Sequence, residues 1–337
     1  MDFQLARSLP VDQWQTFVKK HPKGNIFHTP EMYEVFRNTK GYSPDIWAVL
    51  KDSHILALIL PVHIALTKSG FKRLTTRSVV FGGALCEESP TGKLALAELL
   101  RQYKLWAKRS SLFTELRNLD NHDDLQPILG QAGFEYEDHL NYLIPLNCST
   151  GLVFDRIGSR TRKHIRRGIK RRTVRVVEVR SKEQITDCYK LLGYAYRNAQ
   201  VPLADISLFY AAFEHLVPKG MARFALAYVG TDPAVVSIEL LYKEMIYGWY
   251  GGTDRKFSSE VPNEILIWEI LQWGCEHGYQ VYDFGGAGKP NEEYGVRNFK
   301  AKFGGDLVCF GRNTWVPNPV LMSGSKFAYS ILRKFLF

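Results

Sequence analysis

Two stretches of this 337-residue chain hold residue types able to do chemistry. In the first, Val281, Tyr282 and Asp283 end a short apolar strand, and Gly285, Gly286 and Gly288 open a loop. A helix starting near Tyr294 then carries Arg297, Phe299, Lys300 and Lys302 until Gly304 and Gly305 stop it. Ligands of α/β sheets sit at the carboxyl ends of strands, so a glycine-rich loop that follows a strand-end carboxylate is where a site belongs. The second stretch is cationic. From Arg156 to Val177 there are ten Lys and Arg residues and no acid, which equals the whole formal excess of +10. A field this concentrated attracts polyanions: nucleic acid, phosphorylated substrates or an anionic bilayer.

Familiar signatures are absent. Gly288-Lys289 is followed by Pro290, which breaks a phosphate-binding P-loop. Asp283-Phe284-Gly285 matches a kinase triplet, but no His-Arg-Asp loop accompanies it. No G-x-S-x-G elbow exists, and the nine His lack the H-x-x-x-H spacing of a hydrolytic metal site, so no metal is expected.

The elements that must position these residues follow from patterning. In the basic stretch, Ser159 is a candidate N-cap and Thr161, Ile165 and Ile169 recur every four residues, a spacing that turns one helical face to the core. Arg162, Arg166 and Lys170 then form a second stripe. A helix built only for solubility would pair its charges with Glu, and this one has none. Elsewhere the same order of elements occurs twice. Strands at Ile46–Val49, Ile55–Ile64 and Ser78–Phe81 end in Gly82-Gly83, then come a helix Leu94–Lys108 and a strand Phe113–Leu116. Strands at Phe224–Val229, Val235–Leu241 and Met245–Tyr250 end in Gly251-Gly252, then come a helix Asn263–Glu276 and a strand Val281–Phe284. This predicts a duplicated α/β module. Pro262 suits the first turn of the later helix and Ile265, Trp268, Leu271 and Cys275 its buried stripe.

Hydrophobic residues at 45% and charged residues at 23% suit a soluble globular protein of about two domains. Five scattered Cys without a C-x-x-C pair read as a reduced intracellular protein. The longest apolar run, Ile55–Val62, falls well short of the roughly 20 residues a membrane span needs. Met1–Phe17 lacks a hydrophobic signal core. The expected location is the cytoplasm, with the inner membrane face as a working place. The tail from Trp315 ends in an aromatic, basic stretch, either packed on the first module or lying on a membrane surface.

The chain resembles the FemAB-like branch of the GNAT-fold transferases, which includes aminoacyltransferases that add amino acids to peptidoglycan precursors. The resemblance is carried by Tyr282-Asp283-Phe284-Gly285-Gly286, Gly295-Val296, Phe299-Lys300 and Phe303-Gly304-Gly305. Upstream it includes Arg162, Lys163, Ile165, Arg166 and Arg167, and Pro262-Asn263. In the first half it includes Ile26-Phe27-His28-Thr29-Pro30, Phe81-Gly82-Gly83 and Glu115-Leu116-Arg117. It implies two tandem GNAT-like domains in an α/β (α+β) fold: residues 1–147 and 148–315, with the tail 316–337 packing on the first. No heptad hairpin is present, so no coiled-coil arm is expected.

The resemblance also implies a role for Lys300. Aminolysis of an ester or thioester builds negative charge on the carbonyl oxygen, and a fixed ammonium in a dry cleft stabilises it; one such donor is worth about 3 kcal/mol. The alternative is a solvated helix lysine. Asp283 either orients Lys300 or a loop amide, accepts the proton of the attacking amine, or caps the turn before Gly285. Tyr250, Asn263 and Tyr294 are candidates to line the acceptor site, and Phe299 to position Lys300. Arg297 either meets a phosphate or pairs with Glu292 or Glu293. Arg162, Lys163 and Arg166 are expected to hold phosphates. Relatives place an arginine near Tyr210, where this chain has Asp205, Ile206 and Ser207; Arg37 stands near the position of a substrate-binding lysine.

Acetyl-CoA enzymes of the fold hold the diphosphate on a [Q/R]-x-x-G-x-[G/A] loop. Gly251 to Phe257 does not fit that pattern. The expectation is therefore an acyl- or aminoacyltransferase with no tightly bound cofactor. It would use aminoacyl-tRNA, or alternatively acyl-CoA, to form an amide on an amine acceptor such as a cell-wall or surface-polymer precursor. The rival readings are a non-catalytic nucleic-acid-binding protein and a protein held at anionic membrane.

Overall fold

A computed structural model describes residues 2–65 and 76–325. The aromatic, basic end of the tail lies outside them. The chain divides into two compact units: one from the N-terminus to Asp138, rejoined by the segment from Phe310, and the other His139–Cys309. Strand pairing sets these limits. Leu140–Pro145 lies between Val281–Gly286 and Asp306–Cys309, which ties it to the second unit. Arg312–Trp315 lies between Thr114–Asn118 and Glu135–Glu137, which ties it to the first.

The first unit contains a four-stranded and a six-stranded sheet. The expected single strand Ile55–Ile64 is two strands, His54–Ile59 in the smaller sheet and Pro61–Ala65 in the larger. Pro61 has no N–H to give a ladder, so the chain changes sheets there. The long helix Pro90–Ser110 begins on Ser89, whose hydroxyl accepts the Gly92 N–H at 2.9 Å. Its Leu96, Leu99, Leu100 and Tyr103 are fully buried at helical spacing. Burying one such leucine is worth about 1.5–3 kcal/mol.

The second unit is built on a seven-stranded sheet. Its helix Pro262–Glu276 starts with Pro at the first turn, and Ile265, Leu266, Ile267, Ile270 and Leu271 are buried. Trp268 and Cys275 are only partly buried. In each unit a strand that precedes the long helix pairs in parallel with the strand after it: Thr76–Gly82 with Thr114–Asn118, and Met245–Thr253 with Val281–Gly286. A strand, a crossing helix and a parallel strand, surrounded by antiparallel neighbours, thus occur twice. The two glycine pairs are not equivalent. Gly82 and Gly83 have φ of +81° and +83°, and there the strand stops. The later strand continues through Gly251 and Gly252 to Thr253. Gly252 is needed because a Cβ there would lie 2.8 Å from the Leu191 carbonyl oxygen of the helix Lys182–Asn198.

Candidate active site

The basic helix spans Ser159–Arg171, and its cap position is Gly158, with no side-chain cap; Ser159 is already inside the helix. Thr161, Ile165 and Gly168 are buried, but Ile169 is exposed. The buried stripe drifts at Gly168 because the helix presses on Pro262–Glu276 there: a Cβ on Gly168 would sit 2.6 Å from Ile265 Cδ1. The expected phosphate stripe has intramolecular partners. Arg162 donates to Asp155 at 2.8 Å and Arg166 lies over the Phe154 ring at 5.1 Å. Lys163 is exposed.

The glycine loop gathers the other candidates. Lys300 lies on the helix Gly295–Ala301 and is 7% exposed, so it is no solvated surface lysine. Its Nζ donates to the carbonyl oxygen of Phe284 and, at 2.9 Å, to that of Gly286. Burial holds its pKa down at about 8, opposed by the nearby Asp283 carboxylate. Asp283 is fully buried. Asn141 Nδ2 donates to both its oxygens, at 3.1 and 2.9 Å, and the Gly285 N–H donates to it at 2.7 Å. Burial raises its pKa to about 6 against those donors and Lys300. Asp283 therefore caps the turn at Gly285, where φ is +75°. Gly285 is also a close approach, since its Cβ would lie 3.0 Å from the Gly248 carbonyl oxygen.

Rather than pairing with Glu292 or Glu293, the Arg297 guanidinium donates to the carbonyl oxygens of Ala287 at 2.8 Å, Pro290 at 3.1 Å and Lys289, fastening the loop. Phe299 packs edge-on against Phe303 and Phe284, with ring centroids 5.3 and 6.3 Å away. Tyr294 stands at the cap position of the Lys300 helix, and its ring lies 3.0 Å from where a Gly288 Cβ would be. Tyr250 sits in a separate aromatic group, with Phe209 at 4.9 Å and Tyr196 at 5.7 Å. Asn263 is half-buried in the first turn of Pro262–Glu276. Arg37 belongs to the first unit, exposed and paired with Glu34 at 2.7 Å.

So Lys300, Asp283, Phe299, Arg297 and Tyr294 converge on one loop, whereas Tyr250 and the basic helix belong to other parts of the same unit. The sequence reading missed Asn141. Its signal is a lone amide in the apolar strand Leu140–Pro145, where a buried polar group needs a partner. It also missed His139, whose Nε2 is 3.1 Å from where a Gly286 Cβ would be.

Residues 159–300 match the acetyltransferase (GNAT) domain family. The lipid II:glycine glycyltransferase of Staphylococcus haemolyticus is 21% identical over 86% of this chain and 87% of its own length. These matches fit the resemblance to the FemAB-like transferases. Its fold is shared with the crystal structure of FemX, at a TM-score of 0.71 and 17% identity over 94% of this chain and 97% of that one. It is also shared with L-PGS from Bacillus licheniformis, at a TM-score of 0.58 and 15% identity over 94% and 95%. A tandem GNAT protein from the clavulanic acid pathway aligns at a TM-score of 0.61 and 10% identity over 94% and 99%. The repeated strand–helix–strand unit is thus a tandem GNAT fold, and this FemAB-like chain is an acyl- or aminoacyltransferase. No helix among the described residues is long and apolar enough to cross a membrane.

Proposed function

We propose that the chain moves an aminoacyl group from aminoacyl-tRNA to an amine on a cell-wall or lipid precursor, with Lys300 as the catalytic residue. The attacking nitrogen forms a bond to the ester carbonyl carbon, the ester C–O bond breaks, and the ribose hydroxyl leaves with a proton that originates on the amine. Negative charge peaks on the carbonyl oxygen in between. The observation that carries this reading is the environment of Lys300 Nζ. Two of its donors are committed to the Phe284 and Gly286 carbonyls, and burial leaves the remaining N–H in a low-dielectric surrounding. A neutral amine has only two N–H groups; only the ammonium has a third to offer an oxyanion.

Asp283 is a positioning residue, because its oxygens are occupied by Asn141 and the Gly285 N–H. It shapes the loop whose carbonyls hold Lys300. Arg297 and Phe299 fix the same loop and helix, and Tyr294 and Asn263 are read as acceptor-side residues. Support for a tRNA donor comes from the lipid II glycyltransferase relative and from the acid-free helix. The acceptor class follows the same relative, and so does a working place at the cytoplasmic face of the membrane. Acyl-CoA is the competing donor, favoured by the match to the acetyltransferase domain.

The test supplies glycyl-tRNA or acetyl-CoA together with an amine-bearing peptidoglycan precursor and measures new amide by mass. Amide from glycyl-tRNA supports the reading. Amide from acetyl-CoA alone overturns its donor.

A further inference from the structure

The basic helix has a second charged face beside the stripe its sequence spacing singles out. Between this helix and the segment leading into Pro262–Glu276 lies a cavity of about 240 Å³, lined by His164, Arg167, Gly168 and Arg171 on one side and by Ser258, Ser259 and Val261 on the other. Arg162 and Arg166 have their charge or ring partners in the preceding helix, Thr150–Arg156. The cavity side of the helix has a different balance. Arg167 is exposed, and Arg171 has only a loose ion pair, 3.8 Å from Glu260. Glu260 itself accepts the Thr173 hydroxyl at 2.6 Å.

We propose that this cavity is a phosphodiester-binding subsite that seats the backbone of the RNA donor, with Arg167 and Arg171 as its anion-binding residues. Four features argue for phosphate. Two guanidinium groups, one turn apart, present planar forks suited to phosphate oxygens. Ser258 and Ser259 line the same cavity, and a serine hydroxyl is able to donate to phosphate oxygens. Glu260, the acid beside Arg171, is engaged by Thr173. The surrounding segment adds positive charge with no acid from Arg156 to Val177. Nucleic acid is favoured over a bilayer by the shape of the helix: an interfacial helix turns its apolar face to lipid, whereas Ile165 and Gly168 here are buried inside the unit. Gly168 lets the basic helix approach Val261 and Ile265 closely at this cavity.

This inference rests on the RNA-donor reading, and a binding assay separates the two. Uncharged tRNA is titrated by fluorescence anisotropy at several salt concentrations. The Arg167→Gln/Arg171→Gln variant should bind at least tenfold more weakly at low salt, and its log–log salt slope should be shallower by about one to two, because each phosphate contact contributes roughly one. Ser259→Asp, which keeps both arginines and adds a carboxylate, should weaken binding in the same direction. Lys300→Met should bind tRNA like the unaltered chain even where it cannot transfer. Unchanged affinity and slope in folded Arg167/Arg171 and Ser259 variants overturn the subsite. So does a double variant that loses binding to CoA, or to phosphatidylglycerol vesicles, while holding tRNA normally.

Discussion

Lys300 has three N–H groups only while it is protonated, and two are already spent on carbonyl oxygens. With its pKa held down at about 8 by burial, the ammonium fraction falls as pH rises through that value. Amide formation should therefore decline above about pH 8, and Lys300→Arg, which stays charged, should lack that alkaline limb. A limb unchanged in Lys300→Arg places the titration elsewhere. Asp283 permits a second prediction. Asp283→Asn would turn its new NH₂ toward a donor, either Asn141 Nδ2 or the Gly285 N–H, and strand one of them. The expected cost is about 1–3 kcal/mol of stability, read as a lower chemical-denaturation midpoint. Equal stability would mean the Asn141 contacts contribute nothing. Asp283 and Lys300 were legible because a strand-end acid, a glycine loop and a Phe-Lys pair keep close sequence spacing. Asn141 was not, since its partner is distant in the chain and meets it only through strand pairing.

At the scale of elements, the boundaries that local chemistry fixes were readable, and those that depend on a neighbour were not. Pro262 announced its helix. The basic helix was readable too, but which stripe is engaged depends on Phe154 and Asp155 in the preceding helix and on Ser258 and Ser259 across the cavity, none of which periodicity reveals. Gly252 looked like a break and is a strand residue under a close helix. Its neighbour is backbone, Leu191 O at 2.8 Å, whereas the nearest neighbour of Gly168 is the end of a flexible side chain, Ile265 Cδ1 at 2.6 Å. Gly252→Ala should thus destabilise the chain more than Gly168→Ala; overpacking costs typically about 1–3 kcal/mol, and a methyl-for-methyl comparison of melting temperatures decides the order. The reverse order would contradict the packing described here.

Across the whole molecule, the duplication was visible as a repeated order of elements, while the parallel pairing that identifies each copy as a GNAT unit appeared only in the sheets. The core of the second unit also holds a charge that no spacing predicts. Glu239 is fully buried on the interior strand Asp232–Tyr242, accepts the Ser237 hydroxyl and lies opposite Arg223 in the register. Burial raises its pKa to about 7 from 4.5. Between those values the folded chain binds more protons than the unfolded one, so this group lowers stability as pH rises from about 4.5 to 7. Glu239→Gln should flatten that part of the stability curve and raise the melting temperature most at pH 7 and above. Parallel curves for the two chains would assign the pH dependence to other groups.

The central claim is that the ammonium of Lys300 stabilises the oxyanion of amide formation, and single-turnover transfer with preformed enzyme and charged tRNA measures it most directly. Lys300→Met should reduce the rate of the chemical step about 10²–10³-fold with tRNA binding and melting temperature retained. A folded, tRNA-binding Lys300→Met chain that forms amide at the unaltered rate would contradict the account.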